Sequence, residues 1–264
     1  MAKPHALHGT GAALDEPLVR RIGPADLRDA LMDGIDDFKA MPTHAFFIVL
    51  IYPVLGLVLA GTILGYDVMP LLFPIMSGFA LVGPFAAIGL YELSRLREAG
   101  DAFAWTHMAA MLRSPVVGSI VTLGLLLLIV FIAWLATAGL LYRTAFGAWE
   151  PDSLGDFLTQ VFATREGWTM IVVGNLLGLA FSTVALAVSV VSFPLLLDRN
   201  VSAATAVRTS IQVVAVNPGT MALWGLVVAA SLVVGFLPLF LGLAVVLPIL
   251  GHATWHLYRR AVSA

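Results

Sequence analysis

The chain has 264 residues, of which 60% are hydrophobic and 11% charged, with a net charge of −2 and a mean hydropathy of +0.96. Soluble domains carry roughly 25% charged residues, so this composition belongs to the membrane class, and the balance excludes the basic surface that nucleic acid requires. There is no cysteine, which excludes disulfides, a thiol nucleophile and Cys metal ligands.

In chain order, residues 1–22 read as a flexible N-terminal tail and 23–264 as a single membrane domain. The first forty residues are acidic (Asp15, Glu16, Asp26, Asp29, Asp33, Asp36, Asp37). They lack the short apolar core of a cleaved signal peptide, so the N-terminus is expected to be kept. About 20 apolar residues cross a hydrocarbon core. Spans are expected near 43–64, 70–93, 116–141 and 169–197. A further apolar run, 219–258, is twice the length of one crossing. Gly235-Phe-Leu-Pro238 at its middle reads as a tight turn, dividing it into spans 219–236 and 238–258. The fold class is therefore all-α: a polytopic membrane protein of six transmembrane helices arranged as three hairpins.

Six spans put both termini on one side. That side collects Lys3, Arg20, Arg21, Arg28, Lys39, Arg95, Arg97, Arg113, Arg199, Arg208, Arg259 and Arg260, against Arg143 and Arg165 opposite, a split of 12 to 2. Positive residues mark the cytoplasm, so both termini are expected there. The long external loop, 142–168, carries Glu150, Asp152, Asp156 and Glu166, a candidate interfacial helix over 153–163, and Trp149 and Trp168 as aromatic anchors.

A pattern recurs three times: an amphipathic stretch, a proline, then a hairpin. The stretches are 25–38, 102–113 and 203–214, leading to Pro42, Pro115 and Pro218. Apolar residues fall on one helical face of each: Leu27, Leu31, Ile35 and Phe38; Trp105, Met108, Ala109 and Leu112; Val207, Ile211 and Val214. This spacing predicts a cytoplasmic helix before each hairpin, lying on the membrane surface, and a pseudo-threefold repeat.

No Asp, Glu, Lys or Arg falls mid-span, which weighs against an ion-coupled pump. Polar residues gather instead at the cytoplasmic span ends: Tyr91, Glu92 and Arg95, then Asp198 and Arg199, Asn217, and His252 with His256. They form a candidate acid–imidazole cluster. His252 and His256, four apart, share a helical face, but no other span carries a histidine to complete a two-histidine haem site. The expectation is therefore no cofactor, no metal and no catalytic residue, with the histidines bonded to Glu92, Asp198 or backbone.

Three strings resemble a known family: Gly83-Pro-Phe-Ala-Ala-Ile-Gly-Leu-Tyr-Glu-Leu-Ser-Arg95, Phe193-Pro-Leu-Leu-Leu-Asp-Arg199, and Leu247-Pro-Ile-Leu-Gly-His-Ala-Thr-Trp-His-Leu-Tyr-Arg259. Together they are similar to the prokaryotic integral membrane proteins of domain-of-unknown-function family 2189, some of which carry a cytochrome c oxidase subunit label. The resemblance implies a bacterial inner-membrane protein, and the family has no catalytic residues to carry over. The reading is a non-enzymatic accessory, assembly or scaffold protein. Its expected partners are membrane lipids and other membrane proteins such as respiratory complexes. Two alternatives stand beside it: a small-molecule or lipid transporter using the cytoplasmic cluster, and a haem- or quinone-binding redox protein.

Overall fold

The computed structural model describes residues 17–41, 74–75, 83, 87–101, 113–238 and 241–263. The expected first span (43–64), most of the second (70–93) and nearly all of the second amphipathic stretch (102–113) lie outside the described residues. The helices, in chain order, are α1 (Pro24–Ala40), α2 (Ile88–Ala99), α3 (Val116–Phe146), α4 (Leu154–Ala163), α5 (Arg165–Ser189), α6 (Ser192–Asp198), α7 (Ala203–Val216), α8 (Pro218–Phe236) and α9 (Leu243–Ala261).

Local chemistry sets most of the boundaries. Ser153, Thr164 and Ser202 cap α4, α5 and α7, each side chain accepting a backbone N–H from the first turn. Gly100 and Gly147 close α2 and α3 with positive φ, a conformation other L-residues resist. The run 165–198 breaks at Val190–Val191 because Pro194 has no N–H for the Val190 carbonyl. At the break, Ser210 on α7 accepts Val191 N–H through its hydroxyl at 3.2 Å.

Among the described residues, three helices are long and apolar enough to cross a bilayer: α3, the α5–α6 run and α8. They match the expected spans at 116–141, 169–197 and 219–236. Leu125, Ile129, Leu176, Leu179 and Leu226 face outward from them, as lipid-facing side chains do. Trp134 locks α3 to α5, its ring 3.4 Å from where a Cβ on Gly178 would sit and 5.6 Å from Phe181. The expected external helix forms as α4 and packs on the start of α5. The Val161 carbonyl occupies the place of a Gly167 Cβ, 2.1 Å from that ideal position.

α8 ends at Phe236, where the expected span ends, and α9 starts at Leu243, later than the expected span start at 238; Gly235 packs directly on Gly242 and Leu243. The C-terminal half of α9 is covered by α1. Gly34 abuts the Ala253 backbone so closely that a Cβ would lie 2.6 Å from its nitrogen. Ion pairs and hydrogen bonds follow in order, Asp33 to Arg260 and Asp37 to His256, so the two helices run antiparallel. The buried stripe of α1 is Leu27, Ala30, Gly34 and Asp37. The expected face of Leu31, Ile35 and Phe38 is half-buried beside it. Small residues win the seam because they let the two backbones approach. Docked in this way, α1 rests on α9 along its length.

Residues 18–20 and 261–263 meet at the same place. Val19 pairs with Val262, Arg20 N–H bonds the Ala261 carbonyl at 2.8 Å, and Ser263 N–H bonds the Leu18 carbonyl at 3.0 Å.

Candidate functional site

Where α1, α2 and α9 converge, Asp37 is the hub. Its side chain is 5% exposed. Oδ2 accepts from Ser94 Oγ at 2.5 Å and from His256 Nε2 at 2.9 Å, while Oδ1 pairs with the Arg97 guanidinium. His252 Nδ1 lies 2.7 Å from Ser94 Oγ and 3.8 Å from Asp37 Oδ2. Arg260 Nη2 binds Asp33 Oδ2 at 2.7 Å, and that carboxylate is 4.0 Å from His256 Nδ1. Burial acts to raise the Asp37 pKa, but hydrogen bonds from His256 and Ser94, with Arg97 alongside, outweigh it and hold the carboxyl below its ordinary value. Asp37 is therefore ionised at neutral pH.

A second network joins α2, α6 and α9. Asp198 Oδ2 accepts from the Tyr258 hydroxyl at 2.5 Å and from Arg259 Nη1 at 3.2 Å. Glu98 accepts from Trp255 Nε1 and from Arg259 Nε, both at 3.0 Å. Glu92 and Arg95 form a bidentate pair along α2, both contacts 2.7 Å, with Glu92 buried. Arg199 lies 3.8 Å from Asp198 and donates to the Ser263 carbonyl.

Asn217, at the α7–α8 junction, faces the N-terminal segment. Its amide oxygen accepts Ile22 N–H at 2.9 Å and its nitrogen donates to the Arg20 carbonyl at 3.0 Å. Thr220 adds a bond to the Ile22 carbonyl. Residues 20–22 are thus held between the start of α8 and the end of α9.

The eight candidate residues divide into separate groups. His252 and His256 belong to the Asp37 hub; Asp198 and Arg199 belong to the second network; Glu92 and Arg95 pair with each other on α2, the helix that supplies Glu98 to that network; Asn217 pins the N-terminal segment. Tyr91 is buried among them. The histidine side chains meet Asp37 and Ser94, where Glu92, Asp198 or backbone had been expected. Asp37, Ser94, Arg97 and Glu98 were not among the candidates. The available signal was Ala30, Gly34 and Asp37 on one helical stripe, a small-residue seam ending in an acid. Ser94 gives its proton to a carboxylate, the reverse of a nucleophilic serine, which gives its proton to a histidine. Among the described residues, no three His, Asp or Glu side chains gather to hold a metal ion.

Comparison with known proteins gives one match: the family described as Predicted integral membrane protein (DUF2189) matches residues 71–198. The matched stretch contains α2 through α6, including Ser94, Arg97 and Asp198, while α1 and α9 lie beyond it. No curated protein and no solved structure matches the chain.

Proposed function

Starting from an integral membrane protein similar to DUF2189 over residues 71–198, we propose a six-span protein of the bacterial inner membrane. Both termini are cytoplasmic, and its role is a non-enzymatic accessory, assembly or scaffold protein, with respiratory complexes among its candidate partners. The observation that carries this reading is the interlock of α1, α2, α6, α9 and both chain ends. Its acids and bases are directed at one another and at the termini, which makes a rigid head on the arginine-rich side. A preformed surface binds a partner without the entropy cost of ordering itself. The 12-to-2 charge split supports the orientation.

Purification from native membranes in mild detergent tests the role: the reading expects a co-isolated membrane protein or bound lipid. Repeated isolation of the chain by itself sinks it. Reporter fusions at the 147–153 loop and at both ends test the orientation, with the loop alone expected outside.

A second reading, a small-molecule or lipid transporter, is favoured by one observation. His252 Nε2 is buried and, among the described residues, lacks a hydrogen-bond partner. If this reading holds, removing His252 and Asp37 together changes an uptake or efflux phenotype.

A further inference from the structure

The hydrogen-bond chain at Asp37 has an open end. Ionised Asp37 can only accept, so Ser94 directs its single proton there, and the 2.7 Å contact between Ser94 Oγ and His252 Nδ1 requires the imidazole to donate. Nδ1 therefore carries the ring hydrogen and Nε2 a lone pair. That atom is buried without a partner among the described residues, in a side chain with no exposed surface. The Leu90 carbonyl lies close to the ring, but two acceptors cannot bond one another. One helical turn before His252, Pro248 interrupts α9 and offers no N–H to the Ala244 carbonyl. Among the described residues, Nε2 is left as an acceptor without a donor. What fills such a place is a hydrogen.

We propose that His252 Nε2 is a proton-accepting site, wired through Ser94 to Asp37, for a proton delivered by water or a protonated small molecule inside the helix bundle. The transfer balances. Nε2 takes a proton from the donor, Nδ1 passes its hydrogen to Ser94 Oγ, and the original Ser94 hydrogen moves to Asp37 Oδ2. The donor loses one proton and the carboxylate gains one, while His252 and Ser94 stay neutral. The heavy atoms keep their places. Asp37 now donates to Ser94 and Ser94 to Nδ1, and the ring hydrogen sits on Nε2. The groups facing the relay are Arg97 from α2, His256 and Arg260 from α9, and Asp33 from α1. Arg97 and His256 both favour ionised Asp37, so the carboxyl gives the proton up again past the half-exposed Arg97. The site stands for a scaffold or a carrier alike, since it rests on the hydrogen-bond chain.

The full chain, with ¹⁵N-labelled histidine and reconstituted in lipid nanodiscs, is followed by NMR and infrared spectroscopy from neutral to acidic pH. The expected neutral state has the His252 hydrogen on Nδ1 and a bare Nε2. On acidification the hydrogen moves to Nε2 in the same step that an Asp37 carboxylic-acid band grows. Ser94→Ala loses the coupling of the two events, and Ser94→Thr, which keeps the hydroxyl, retains it. A ring hydrogen on Nε2 at neutral pH overturns the proposal, as does a doubly protonated ring on acidification. Ring and carboxyl changes that do not coincide in the wild-type chain, or that still coincide in Ser94→Ala, overturn it too. The wild-type spectra decide by themselves if a variant fails to fold.

Discussion

The spans and the head solve opposite packing problems. In α3, 31 residues long, only Ile120, Leu123, Leu127, Trp134 and Ala138 are buried, whereas α2 buries seven of its 12 residues, Glu92 and Ser94 among them. Lipid is as apolar as leucine, so nothing drives the outward face of a span inward, and helices meet there through small residues and aromatic rings. The head packs all round, and its ionised groups had to be matched one by one. A span therefore tolerates change over most of its surface, and the head tolerates little.

The sharpest test of that contrast is Asp37→Ala, which leaves Arg97, His256 and Ser94 without their acceptor. Removing one member of a buried ion pair costs about 3 kcal/mol or more. Hydrogen exchange should show α1 and the C-terminal half of α9 opening together while α3 stays protected. If both regions keep wild-type protection, Asp37 is not the fastener. Next in size is a pair of glycine substitutions. Gly34→Ala drives a methyl into the Ala253 backbone and should cost about 2 kcal/mol. Gly178→Ala meets only the Trp134 ring at 3.4 Å and should be neutral or slightly stabilising, since alanine improves a helix by roughly 0.5–1 kcal/mol over glycine. Thermal unfolding of the two variants in one detergent compares them directly, and equal shifts would erase the distinction.

Acid should separate the regions more gently. The folded Asp37 pKa lies below its ordinary value of 3.8, so its contribution is complete above that value and is lost as pH falls through the lowered one. Head protection should decline at acidic pH, span protection should hold, and Asp37→Asn should remove this component of the decline. The smallest effect belongs to Leu226→Ala on the outward face of α8, where a change within about 0.5 kcal/mol is expected. A larger loss in detergent would mean that this face is covered by protein.

Much of the architecture was legible because it depends on composition and local rules. Apolar runs gave α3, the α5–α6 run and α8; the stretch 153–163 was expected as a short helix and forms as α4; and Asn217 was recognised as a polar residue at a span entrance. The partners of these residues were harder to read. Asp37 looked like one of seven acids on a solvated segment, and its significance depends on Gly34 meeting Ala253, a contact between positions 219 apart. Ser94 stood in a conspicuous string without its role being readable, because that role is to accept from one helix and donate to another. The stripe of Leu31, Ile35 and Phe38 was a real amphipathic signal, but the close approach of two small-residue helices outweighed it.

Sequence by itself determined that this is an all-helical integral membrane protein with several apolar helices, since hydrophobicity acts residue by residue. Only the tertiary structure decided which acid meets which base, how both chain ends are fastened, and that His252 is left with an unpartnered nitrogen. Hydrogen bonds are short and directional, and whether one is made depends on the placement of backbones far apart in the chain, which no local pattern records.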